Sequence, residues 1–127
     1  MEASVFLMRN GVDEYSLYVY DVDRFGSIKT ISKMNEPKLQ EMVVCLREMT
    51  RIEKALSVFF PNNLPDVNVS IVKRINPIEY NMVLNLGMTI ISQMDETEFH
   101  ETLFEMETIC MQQIGTKVYF PPLKKEA

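Results

Sequence analysis

Between Tyr80 and Met94 the chain runs for fifteen residues without a charged side chain. A stretch of that kind is enclosed on most sides, by its own domain or by a partner. The residues before it, Asn76-Pro77-Ile78-Glu79, read as a helix start. Asn76 can accept a bond from a first-turn amide, Pro77 suits the first helical position, and Glu79 can reach back to the cap. The pattern predicts a helix over 77–94, apolar over about two-thirds of its circumference. Tyr80, Val83, Leu84, Gly87, Met88, Ile90 and Ile91 make that surface, beside an uncharged polar stripe of Asn81, Asn85, Thr89 and Ser92. Gly87 permits close backbone approach. Such a helix suits a domain core or a self-association or partner face. Tyr80, Asn81, Asn85 and Met88 are its candidate contact residues.

The flanking segments supply the rest of an α+β chain. Val5 to Arg9 and Glu14 to Val22 read as strands joined at Asn10-Gly11, a tight-turn dipeptide. A third strand runs from Ser27 to Ser32. Helix one starts near Asn35 to Pro37 and ends before Pro61, with Leu39, Met42, Val43, Leu46, Met49, Leu56 and Phe60 at helical spacing. Alternation over Val67, Val69 and Ile71 gives a fourth strand. Asp95 and Glu98 form a capping-box signature for helix three, which runs to about Ile114 with Phe99, Leu103, Met106, Cys110 and Ile114 inward. Lys117 to Phe120 is a last strand. The order is β-β-β-α-β-α-α-β. It predicts a largely antiparallel sheet of four to five strands with three helices mainly on one face. Residues 1–122 are expected to form one domain and 123–127 a loose tail, with no internal repeat.

Composition narrows the function. Eighteen acids against thirteen bases give a formal net charge of −5, which argues against gripping a nucleic-acid backbone. No apolar run is long enough to span a bilayer, and Met1-Glu2-Ala3-Ser4 lacks the basic start of a secretion signal. Cys45 and Cys110 fall in expected helix interiors, where they read as buried thiols of a reducing compartment. The expected location is the cytoplasm, or the nucleus in a eukaryotic source.

Catalytic candidates are few. Helix three carries a second stripe of His100, Phe104, Glu107 and Met111, which suits packing against helix two or a partner groove anchored by Phe104 and Met111. His100 is the only histidine and has no companion at zinc-ligand spacing. Glu53, among the apolar positions of helix one, reads as an edge or paired carboxylate. Asp21 and Asp23 point the same way at a strand end, an arrangement able to hold magnesium. The run Tyr18-Val19-Tyr20-Asp21-Val22-Asp23-Arg24-Phe25 resembles the hydrophobic-Asp-hydrophobic-Asp-Arg/His-Phe strand end of diguanylate-cyclase and related palm domains. That resemblance implies magnesium and nucleotide phosphoryl transfer at Asp21 and Asp23. It is confined to this run: no Gly-Gly-Asp/Glu-Glu-Phe motif follows, and Gly26 stands where the family has lysine. Tyr15, Tyr18 and Tyr20 with Phe25 could instead stack the bases of a single strand, against the repulsion of neighbouring acids.

The sequence therefore points to a non-catalytic protein-binding module needing no cofactor or metal: a small regulator, adaptor or inhibitor of a larger protein, of the kind viruses and phages encode, or a homodimer. A palm-like magnesium or nucleotide domain is the alternative, and single-strand binding through a Tyr-bearing sheet face the second.

Overall fold

The uncharged run forms two strands, not a helix. In the computed structural model, which describes residues 4–21, 25–62, 64–86 and 89–123, Glu79–Leu84 and Thr89–Met94 pair antiparallel, Tyr80 opposite Met94. Tyr80, Asn81, Met82, Val83 and Leu84 are all buried, so this strand is covered on both faces. Burial on both faces removes charge from a strand as thoroughly as from a helix. The β-branched Val83, Thr89, Ile90 and Ile91 favour the extended form. Asn85 and Leu86, each at φ 57, reverse the chain between the strands. Asn76, expected as a helix cap, stands at φ 63 in the preceding turn, before a cis bond to Pro77. Gly87 and Met88 lie outside the described residues.

Among the described residues the elements follow as β1 (Ser4–Gly11), β2 (Glu14–Tyr20), β3 (Ile28–Met34), α1 (Glu36–Arg51), β4 (Leu56–Phe60), β5 (Val69–Arg74), β6 (Glu79–Leu84), β7 (Thr89–Met94), α2 (Glu96–Thr108), a 3-10 turn (Ile109–Met111) and β8 (Lys117–Phe120). The α+β class stands. The single sheet and third helix are corrected to two antiparallel four-stranded sheets, β3-β2-β1-β8 and β4-β5-β6-β7, with two helices. Helix one ends at Arg51, because Ile52 turns extended, and Leu56 to Phe60 form β4 instead of its last turns. Both helix starts form as their sequences imply. The Asn35 side chain accepts from Lys38 N at 2.9 Å, and Asp95 and Glu98 complete a capping box.

The chain is an internal repeat, which corrects the expectation of none. Each half is a three-strand meander, a helix and one more strand: β1-β2-β3-α1-β4, then β5-β6-β7-α2-β8. The fifth strand of each half leaves its own meander and pairs with the first strand of the other, β4 with β5 and β8 with β1. Register repeats as well. Phe120 faces Val5 as Phe60 faces Val69. A bulge interrupts β2–β3 at Leu17/Tyr18 and β6–β7 at Met82/Val83. The residue left over in each, Ile31 and Ile91, turns into the core. In sequence, Ile31-Ser32-Lys33-Met34-Asn35-Glu36 recurs sixty residues on as Ile91-Ser92-Gln93-Met94-Asp95-Glu96, and Val58-Phe59-Phe60-Pro61 as Val118-Tyr119-Phe120-Pro121.

The repeat is a pseudo-two-fold. Arg47 of α1 and its equivalent Glu107 of α2 form an ion pair with each other, so the axis passes between them. Each half also caps the helix of the other. Arg9 of β1 donates to the Cys110 and Gln112 carbonyls at the end of α2. Its equivalent, Lys73 of β5, is 2% exposed and donates to the Met49 and Ile52 carbonyls at the end of α1. Cations placed there satisfy carbonyls that the helix leaves unpaired. α1 packs on β2, β3 and β4, and α2 on β6, β7 and β8. The inner faces of both sheets and both helices share one apolar cluster.

Candidate functional site

The stripe read from helix three is present on α2, and the repeat supplies its counterpart. His100, Phe104, Glu107 and Met111 correspond to Gln40, Val44, Arg47 and Arg51 of α1. The helices run antiparallel about the Arg47–Glu107 pair, bringing the first half of α1 beside the end of α2. Between them lies a groove of about 410 Å3, floored by Leu39, Val43, Met106 and Cys110 and flanked by Val44 and Met111. Glu36, Gln40 and Glu107 stand at its rim. Val44 is 60% exposed, Phe104 64% and Met111 86%. Water-facing apolar side chains on both sides of a groove are the kind of surface a partner covers.

Phe104 and Met111 are therefore exposed to water. His100 is exposed 4.0 Å from Glu96, one helical turn away. The other candidates are not on this face. Tyr80 is fully buried in β6, its ring stacked on Phe99 at 3.9 Å. Asn81 is buried in the same strand, and Asn85 sits in the following turn with its amide bonded to the Asn68 carbonyl at 2.8 Å. Met88 lies outside the described residues. Val44 and the groove floor on α1 were missed, and aligning the two repeats would have found them. Cys45 lies within α1 as expected but is exposed, Cys110 is half-buried in the 3-10 turn and Ile114 is exposed, which corrects their expected burial. Glu53 is exposed in the link after α1, not among core positions.

The tyrosine face also needs correcting. Tyr15 is fully buried on the inner face of β2. Burial first, then the Cys110 thiol beside it, pushes its phenol up to about 12. Its equivalent Tyr80 is raised too, by burial and by Glu96. Phe25 packs against the core. The outer face of the first sheet instead carries a row across the strands, Thr30, Tyr18, Phe6 and Tyr119. Phe6 stacks on Tyr18 at 5.1 Å and tilts against Tyr119 at 5.6 Å. The next row is Lys33, Ser16, Met8 and Lys117.

Asp21 follows β2, with its carbonyl accepting from Phe25 N at 2.8 Å; Asp23 lies outside the described residues. Among the described residues no three His, Cys, Asp or Glu side chains gather in a metal-binding group. No helix there is long and apolar enough to cross a membrane. Comparison of the chain with protein-family models, curated proteins and solved structures gave no match.

Proposed function

We propose that this chain is a non-catalytic protein-binding module, a small regulator, adaptor or inhibitor, that engages its partner through the paired helices. The observation that carries the reading is the exposure of Val44 and Met111 on the two sides of an apolar groove. Interfaces centre on such anchors and surround them with polar residues. The unpaired Cys45 and Cys110 fit action in the cytoplasm, or in the nucleus of a eukaryotic source. The test uses a nuclease-treated extract of the source cell. A partner retained by the wild type is expected to be lost from Val44→Asp and Met111→Asp, and kept by Ser57→Asp on the far side of β4. Both helix substitutions fall at exposed sites, so melting temperature stays unchanged. Retention by all three variants contradicts the reading. Loss of self-association, measured on the same variants by sedimentation, identifies the partner as a second copy.

A second reading is favoured by the aromatic row of the first sheet. With Lys33 and Lys117 in the adjoining row, Tyr18 and Tyr119 offer stacking surfaces to the bases of a single strand. It predicts salt-sensitive binding of an oligonucleotide that Tyr119→Ala abolishes. No binding at low salt ends it.

A further inference from the structure

We infer that Cys110 is a site of S-acylation, its acyl chain laid along the apolar groove that the thiol helps to floor. The site is independent of any protein partner met by the exposed rims. Cys110, in the 3-10 turn after α2, is half-buried and lines the groove with Leu39, Val43 and Met106. At about 410 Å3 and with a mostly apolar lining, the groove has the size and character of a small-molecule site. Behind the thiol stands Tyr15, fully buried, whose hydroxyl has no hydrogen-bond partner among the described residues. That hydroxyl lies against the Cys110 thiol and in the field of Glu36, another groove residue. Sulfur is a weak acceptor, so the thiol leaves this buried donor unsatisfied. An acyl group on Sγ puts a carbonyl oxygen two bonds from the sulfur, where the phenol can donate to it.

The other repeat shows the same place filled. Phe99 lies flat on the Tyr80 ring at 3.9 Å. Thr50 stands where Cys110 does, its hydroxyl donating to the Arg47 carbonyl at 2.6 Å. On the Tyr15 side Leu39 replaces Phe99 and lines the groove, and the smaller Val43 and Val44 replace Leu103 and Phe104. A thiol, an orphan phenol and an apolar opening thus coincide at one end of the helix pair. Arg9 fixes the turn that carries the thiol, donating to the Cys110 carbonyl at 3.0 Å. The acyl donor is a long-chain acyl thioester, an acyl-coenzyme A. The Cys110 thiolate attacks its carbonyl carbon, the Sγ–C bond forms and the bond from that carbon to the coenzyme sulfur breaks. The proton of the Cys110 thiol ends on the departing sulfur. Tyr15 donates to the carbonyl oxygen as negative charge grows on it.

The test treats the full chain with hexadecanoyl-coenzyme A below its micelle concentration and, in parallel, with acetyl-coenzyme A. Intact mass reports the adduct, neutral hydroxylamine removes it, and peptide mapping places it. Cys45 is the internal control, because it is the more exposed thiol and is not among the groove residues. The long chain is expected on Cys110 about tenfold or more faster than on Cys45, because burial of its methylenes holds the donor there. The acetyl donor is expected to show no such preference. Val43→Leu/Val44→Phe gives the groove the side chains of the second repeat and is expected to abolish the preference while Cys45 reacts as before. Tyr15→Phe is expected to slow the long-chain reaction at Cys110 about tenfold and to leave Cys45 unchanged. Absence of acylation at Cys110, reaction of Cys45 first, or a Cys110 preference shared by the acetyl donor overturns the inference. So does a preference that survives Val43→Leu/Val44→Phe, or an unchanged rate in Tyr15→Phe. Capture of a protein partner through Val44 and Met111 is decided separately, by the aspartate variants.

Discussion

Equivalent residues in the two repeats meet different fates, and that makes each a control for the other. Ser92 Oγ donates to the Pro121 carbonyl, whereas the Ser32 hydroxyl is buried with no partner among the described residues. A satisfied buried hydroxyl stabilises, and an unsatisfied one costs free energy. Ser92→Ala is therefore expected to destabilise by about 1 kcal/mol and Ser32→Ala to be neutral or stabilising, as read by urea unfolding. Equal losses would contradict the assignment. Tyr15 gives a pH dependence. Its phenol is raised to about 12 in the folded chain, against about 10 when unfolded. Its contribution is complete below pH 10 and is lost as pH rises towards 12, because the unfolded chain ionises first. Tyr15→Phe removes that share of the alkaline decline, so the stability gap between variant and wild type changes over this window. A constant gap from pH 9 to 12 would refute the shift.

At the scale of elements, the helix caps are the most exposed to test. Among the described residues Lys73 alone brings an ammonium to the Met49 and Ile52 carbonyls, in a buried setting. Lys73→Met keeps the stem but leaves those carbonyls without their charged donor, at an expected cost of about 2–3 kcal/mol. A loss below about 0.5 kcal/mol would show that the end of α1 is held by packing instead. Elements with local signals were legible from sequence: Asn35 and Asp95 announce α1 and α2, and Asn10-Gly11 announces the turn from β1 to β2. The run from Tyr80 to Met94 was not, because residues buried on both faces lose the alternation that distinguishes a strand. Glu79 was read as part of a capping box but accepts from Gln93 Nε2 across β6–β7 at 2.6 Å. On the proposed binding face, Phe104 and Met111 stood out through helical spacing. Val44 did not, since a single exposed valine carries no signal until Phe104 is recognised as its equivalent.

Over the whole molecule, the exchange of β4 and β8 makes the two halves interdependent. Phe120 lies opposite Val5 as Phe60 lies opposite Val69, so the β8–β1 pairing is the geometric twin of the β4–β5 pairing. A circular permutant opened at Asn62 and joined from Leu123 to Ser4 by a short flexible loop is expected to fold cooperatively, within about 2 kcal/mol of the parent. Failure to fold would contradict the two-fold equivalence. The same symmetry places the departure of α1 from α2, smaller at Leu39, Val43 and Val44, on the face proposed for partner binding. The most direct measurement is site-specific photo-cross-linking in the source cell from position 111 and, as a control, from position 57. The account predicts one stoichiometric adduct from position 111 that Val44→Asp removes, and none from position 57. Adducts from position 57 alone, or from both positions equally, would contradict it.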